Sequence, residues 1–142
     1  MNGANAKSVL TSLLEAVDAV VDAAATKQGA VIYGSANDLK EAVAVEETAT
    51  RRLREAESRR VAYVYLHGEN ANDRISDIAN VKSEEEREAL VKIEKKIAAT
   101  ARRAHRINQR NMLVIEQSKQ FVSQVIAAVV GQTPRALVDR KA

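Results

Sequence analysis

SEEEREALVKIEKKIAATARRAHRINQRNMLVIEQSKQFVSQVIAAVV, residues 83–130, is the stretch whose reading decides the fold. It opens with a helix start. Ser83 can cap the first turn, and Glu86, three residues later, completes a capping box. Glu84, Glu85 and Glu86 also suit the positive end of a helix dipole. Two seven-residue series then share one face: Leu90, Ile97, Ala104, Asn111, Ser118 and Val125, and Ile93, Thr100, Ile107, Val114, Phe121 and Ala128. Offset by three, they form the a/d seam of a coiled coil or bundle. After Asn111 the apolar face widens to take in Ile115, Val122, Ile126 and Val129. Gly131 then stops the helix, with Pro134 just beyond. The spacing predicts one helix of 48 residues, roughly 70 Å long at about 1.5 Å per residue.

Upstream, Leu10, Leu13, Leu14, Val17, Val20, Val21, Ala24 and Val31 recur mostly at steps of three and four. They predict a first helix from about Lys7 to Ile32. Tyr33-Gly34-Ser35 interrupts it, and Ser35 or Asn37 can cap the next helix. The second helix is expected over about Asn37–Leu66, with a thinner apolar face of Leu39, Val43, Leu53, Ala56, Tyr63 and Leu66. Opposite charges at helical spacing, Glu47–Arg51 and Glu55–Arg59, would support a solvated face by a few tenths of a kcal/mol each. His67-Gly68 ends the segment. Residues 68–82 read as a connection in which Ala71–Ala79 could make two helical turns, with Ile75 and Ile78 as apolar plugs and Val81 packing beside them.

Composition agrees with long helices. The single proline is Pro134, and the five glycines are scattered. Aromatics are confined to Tyr33, Tyr63, Tyr65 and Phe121, so aliphatic and alanine side chains must fill narrow interhelical seams. The chain contains no cysteine, which excludes disulfides and thiolate chemistry. No apolar run approaches the ~20 residues of a membrane span. The start, Met1 to Thr11, lacks the pattern of a secretory signal. A cytoplasmic protein without membrane insertion is the expectation. The charge is uneven. Residues 1–101 hold 14 Lys/Arg and 17 Asp/Glu, net −3, and residues 102–142 hold eight and two, net +6.

Catalytic and metal signals are lacking. His67 and His105 fit no two-histidine metal motif, and the scattered glycines form no phosphate loop. Consecutive Glu84, Glu85 and Glu86 point in different directions, so a solvated helix start is the better reading. His105, among Arg102, Arg103 and Arg106, reads as a surface residue rather than a base. No enzyme, cofactor or metal is expected. The run Arg102-Arg103-Ala104-His105-Arg106, with Arg110, is the best nucleic-acid candidate. It lacks neighbouring cations upstream and aromatics for base stacking, so a solvated face is preferred. Asn111 and Ser118 occupy seam positions. They either set register and partner choice or face a gap or water.

The strongest functional pointer is the apolar stripe Val114, Ile115, Phe121, Val122, Val125, Ile126 and Val129. It either packs on the first helix of the same chain or receives another protein's amphipathic segment. If the last helix outreaches its partners by roughly 27 Å, whichever end overhangs decides between these. The sequence leaves both open.

The residues Ile107-Asn108-Gln109-Arg110-Asn111-Met112-Leu113-Val114-Ile115-Glu116-Gln117-Ser118 carry a resemblance. An apolar–Asn–x–x–Asn stretch, an aliphatic run and Glu-Gln-Ser resemble the C-terminal signature of FlgN-type flagellar export chaperones. The break before Asn37-Asp38-Leu39, the charged helix with Glu46-Glu47 and Arg59-Arg60, and the long last helix are similar too. The resemblance implies a cytoplasmic chaperone that holds hook–filament junction proteins and presents them at the flagellar export gate. It also implies client contact through Asn108–Val130 and the tail. Some members dock at the gate through a tail tyrosine. No tyrosine follows Tyr65 here, although Leu137 and Val138 offer an apolar substitute.

The expected fold is therefore all-α: an elongated antiparallel three-helix bundle or coiled coil with one very long C-terminal helix. It would occupy residues 1–131, with 132–142 as a mobile tail. The expected function is a non-enzymatic export chaperone with the stripe as its client surface and Asn111 and Ser118 as specificity positions. The alternative is a coiled-coil adaptor or homodimerisation module, which concentration-dependent light scattering would reveal. A basic nucleic-acid binder ranks third.

Overall fold

A run of 133 residues without proline lets the backbone stay helical wherever an apolar face can be buried. The computed structural model describes residues 2–110, 124–129 and 131, and every element among them is a helix. These are α1 (Asn2–Tyr33), α2 (Ala36–His67), α3 (Ile75–Ile78) and α4 (Glu84–Arg110), followed by a helical segment over 124–129. α1 packs against both α2 and α4, and α3 touches α2 and α4. The all-α expectation holds.

α1 buries Leu10, Leu13, Val17, Val20 and Ala24, as the spacing predicts. Val31, assigned to the same face, is exposed. The buried row instead continues from Ala24 to Lys27. The turn into α2 is tight. Gly34 N–H donates to the Ala30 carbonyl at 3.0 Å. A Cβ on Gly34 would stand 2.7 Å from that carbonyl oxygen and 2.9 Å from Ala30 Cα. Ser35, rather than Asn37, is the cap. Its hydroxyl accepts from Asp38 N–H, and its own N–H donates to the Asp38 carboxylate. Two 32-residue helices joined by two residues must run antiparallel. The cross-helix pairs Lys27–Glu46 and Glu15–Arg52 confirm the sense, since one number rises as the other falls.

The face of α2 differs from the expected one. Leu53, Ala56 and Tyr63 are buried, but Leu39 and Val43 are half-buried and Leu66 is exposed. Ala42, Glu46, Ala49, Thr50, Glu57, Arg60 and Val64 take the remaining inner positions. Small and charged residues thus complete a face that apolar counting made look thin. The expected pairs Glu47–Arg51 and Glu55–Arg59 do not form, and all four side chains are exposed. Within α2, Glu57 and Arg60 form an ion pair at 2.7 Å that is largely buried.

In the connection, Ile75 is buried, and Ile78 and Val81 pack on the core, as expected of plugs. The helical part is one turn, shorter than Ala71–Ala79. At the start of α4, Glu86 N–H donates to Ser83 Oγ, which is half of the expected box. The Glu86 carboxylate reaches one residue further back, to Lys82 N–H.

Leu90, Ile97 and Ala104 are buried, so the first seam series holds over the described part of α4. Ile93, Thr100 and Ile107 are half-buried, and the second inner row is Glu94, Ala101 and Asn108. The 48-residue straight helix does not stand. Val129 lines one cleft of about 310 Å³ together with Glu94, Lys95, Ala98 and Arg102. A straight helix would put Val129 about 46 Å from Ala98. Residues 124–129 therefore lie back against the body. Gly131 has φ 79, the left-handed conformation expected of a glycine just past a helix end.

Candidate functional site

Three residues of the apolar stripe are described: Val125, Ile126 and Val129. At about 100° per residue they share one face of their segment. All three are buried and belong to the main core cluster with side chains of α1, α2 and α4. Asn111, Val114, Ile115, Ser118, Phe121 and Val122 lie outside the described residues, as does the tail with Leu137 and Val138. In this arrangement the described part of the stripe is covered by the chain's own helices.

Its covering is incomplete at both edges. On one side is the 310 Å³ cleft floored by Ala98 and Val129. On the other is a cleft of about 500 Å³. There Gln124 and Ala128 face Val61, Val64, Tyr65 and Gly68. Tyr65 is 86% exposed and Leu66 73%, so apolar surface continues outward from this second cleft. A short segment flanked by two clefts makes fewer contacts per residue than a helix packed on all sides.

The wall of the first cleft is built by a polar staple. Ser76 N–H donates to Glu94 Oε2 at 3.1 Å. The Arg74 guanidinium lies 3.6 Å from Glu94 Oε1. Arg87 donates to the Ser76 carbonyl. The connector before it is closed by Asp73, whose carboxylate accepts from the N–H groups of Glu69 and Asn70. Those backbone donors, Asn70 first, hold the Asp73 carboxyl below the usual range. Burial pushes the Tyr63 phenol above its ordinary value, and its ring stacks at a tilt on His67, 4.4 Å between centroids.

Several buried polar residues escaped the sequence reading. Lys27 and Glu46 form a 2.7 Å ion pair with both side chains fully out of solvent. Asn108, from the quoted motif, is buried with neither amide atom hydrogen-bonded. Glu94 sits one residue beside the expected seam. The available signal was periodicity: Lys27 is the next step after Val20 and Ala24, and Glu94 the next after Leu90. His105 is half-buried rather than a surface residue. Arg102, Arg103, Arg106 and Arg110 are exposed, as expected.

Among the described residues no group of His, Cys, Asp and Glu is placed to hold a metal ion, and no helix is long and apolar enough to cross a membrane. The geometry offers apolar contact area and clefts, the equipment of a protein-binding surface. In comparisons with known proteins, no curated protein and no solved structure matches the chain. The family model described as FlgN protein matches residues 1–135, nearly the whole length, and the chain belongs to that family of flagellar export chaperones.

Proposed function

We propose that this protein is a cytoplasmic, non-enzymatic chaperone that binds hook–filament junction proteins before export and delivers them to the flagellar export gate. The client's amphipathic segment is held by the stripe Val114, Ile115, Phe121, Val122, Val125, Ile126 and Val129. Asn111 and Ser118 tune partner choice along it, and residues 132–142 form a separate tail beyond the helical body. Family membership supports the class of function. The observation that carries the site is the placement of residues 124–129. Their apolar face is packed on the chain's own core, yet they are flanked by open clefts on both sides. In this reading the segment's internal contacts are exchanged for contacts with the client's apolar side. Val125, Ile126 and Val129 are thereby kept out of water when no client is bound, which limits self-association.

The test is client binding by the double variant Phe121→Asp with Ile126→Asp. Charges placed in an apolar contact are costly. Binding to a hook–filament junction protein from the same cell should fall by at least about tenfold, about 1.4 kcal/mol, with helicity retained. A folded double variant that binds its client normally contradicts the site. An unfolded one shows that Ile126 serves the core alone and that the contact lies elsewhere.

A further inference from the structure

Toward the α1–α2 turn, the seam between the two helices is open to solvent. One cleft of about 480 Å³ is lined by Thr26, Gly29 and Tyr33 of α1 and by Asp38, Glu41 and Val45 of α2. A second, of about 380 Å³, continues it through the shared Val45 to Ala19, Thr48 and Arg52. No described residue of α4 or of 124–129 lines either one. Short side chains are the cause. Ala19, Ala30, Ala42 and Ala44 leave a furrow where two helices meet, and a Cβ on Gly29 would find nothing within 4 Å. The Glu15–Arg52 pair, at 3.4 Å, stands at the far end. Ala19 and Tyr33 are about 21 Å apart along α1, the length of about six extended residues.

The rim of this furrow is acidic. At about 100° per residue, Asp18 and Asp22 fall within roughly 80° of Thr26, Gly29 and Tyr33 around α1, and Asp38 and Glu41 fall as close to Val45 around α2. All four carboxylates are exposed. None is in an ion pair among the described residues, where the paired carboxylates are Glu15, Glu46, Glu57 and Glu94. Over residues 16–50 the cations are Lys27, which is buried on Glu46, and Lys40, which stands about 100° round α2 from Glu41. Asp38 already accepts from Ser35 N–H, so Glu41 is the acceptor with no internal task. Apolar surface lies beside these charges. Val31, Ile32 and Val45 are exposed, and Tyr33 is 90% exposed. An apolar patch rimmed by charge of one sign marks an interaction surface. It is distinct from the proposed client site, since Val64, which faces Gln124 and Ala128, is about 42 Å along α2 from Ala36.

We propose that the α1–α2 furrow binds an extended, arginine-bearing segment of a partner protein, with Tyr33 and Glu41 holding one guanidinium. Charge complementarity names the occupant and steers its approach. Arginine suits the site better than lysine. Its planar guanidinium stacks on the open face of Tyr33 and presents a fork of donors to Glu41, whereas an ammonium is a compact, strongly hydrated charge. The guanidinium's stem crosses the floor at Gly29, where the space a side chain would fill is open. Further cations of the segment meet Asp22 and Asp18, and aliphatic side chains between them lie on Val45. A nucleic acid is repelled by the same rim. The inference does not depend on the client reading above.

The test uses the full chain and a labelled six-residue peptide of alternating arginine and valine. Two control peptides carry glutamine or lysine at every arginine position. Anisotropy should report salt-sensitive binding of the arginine peptide, binding of the lysine peptide at least about threefold weaker, and none of the glutamine peptide. Gly29→Arg places the chain's own guanidinium in the furrow. It should weaken binding by at least about tenfold with helicity retained, because arginine is the better helix former. Tyr33→Ala with Glu41→Gln should weaken it by a similar factor, and neither side chain is part of the core. Removing two carboxylates elsewhere, Glu47→Gln with Glu88→Gln, should change it by less than about threefold. No binding by the wild type, equal binding of the glutamine or lysine peptide, or unchanged binding by either furrow variant would overturn the proposal. So would a concentration-dependent rise in light-scattering mass abolished by Gly29→Arg, which would assign the furrow to a second copy of this chain.

Discussion

Glu46 and Glu94 are both buried carboxylates on long helices, yet their surroundings differ. Glu46, toward the α1–α2 turn, meets Lys27 with both side chains fully enclosed. Glu94, beside the connector, is enclosed itself, but its cationic neighbour Arg74 remains 38% exposed at the mouth of a cleft. The first pair joins two helices and admits no solvent. The second joins a backbone N–H, a guanidinium and a loop, and borders the space next to residues 124–129. One end of the body is thus locked by a desolvated pair, and the other is held by a staple that water and a partner can reach. Regions with fewer enclosed contacts open at lower free energy, which is where a binding surface belongs.

Breaking the locked pair should have the largest effect. Lys27→Ala or Glu46→Ala strands a buried charge and should cost about 3–5 kcal/mol. Replacing both, Lys27→Met with Glu46→Leu, should recover most of that loss in urea denaturation. Failure of the double variant to recover would mean that neighbouring polar groups, not the pair, depend on these residues. The staple should matter less. Glu94→Ala removes a charged acceptor from Ser76 N–H and should cost about 1.5–3 kcal/mol. Proteolysis should then cut first within residues 68–82, whereas the Lys27 variants should lose protection throughout.

Gly68 gives a sterically sharper test of the same end. A Cβ there would stand 2.9 Å from the Val64 carbonyl oxygen, 2.7 Å from Asp73 Oδ2 and 3.2 Å from Ile78 Cδ1. Gly68→Ala should cost about 1–3 kcal/mol by overpacking, and Gly29→Ala, which meets nothing within 4 Å, should not destabilise. The smallest effect is expected at Asp73. Its carboxyl is held below its ordinary value by backbone N–H groups, so the stability it adds is present above the unfolded value, about 3.9, and is lost as pH falls through the lowered one. Asp73→Asn should lower the melting temperature slightly at neutral pH. The difference from wild type should vanish in acid, and a constant difference at every pH would contradict the assignment.

The sequence made the helical class, the Ser35 and Ser83 caps and the Ile75 and Ile78 plugs legible, because each is set by local spacing. It hid Lys27, Glu46, Glu57 and Glu94 because a charge on an apolar face reads as the end of that face. Only a partner on another element or turn makes it an inner residue. The return of residues 124–129 was equally hidden. No proline or glycine lies between Gly68 and Gly131, and apolar periodicity carries no record of direction. The stripe was visible as apolar residues, but whether it was covered depended on that return.

The absence of cysteine allows a direct measurement of whether the client engages residues 124–129. Gln124 is exposed at the edge of the second cleft, so Gln124→Cys accepts one environment-sensitive fluorophore without disturbing the core. Titration with a hook–filament junction protein should shift its emission in a saturable manner, at the same concentrations at which the complex forms in sedimentation. Formation of the complex with the fluorophore unchanged would contradict the account.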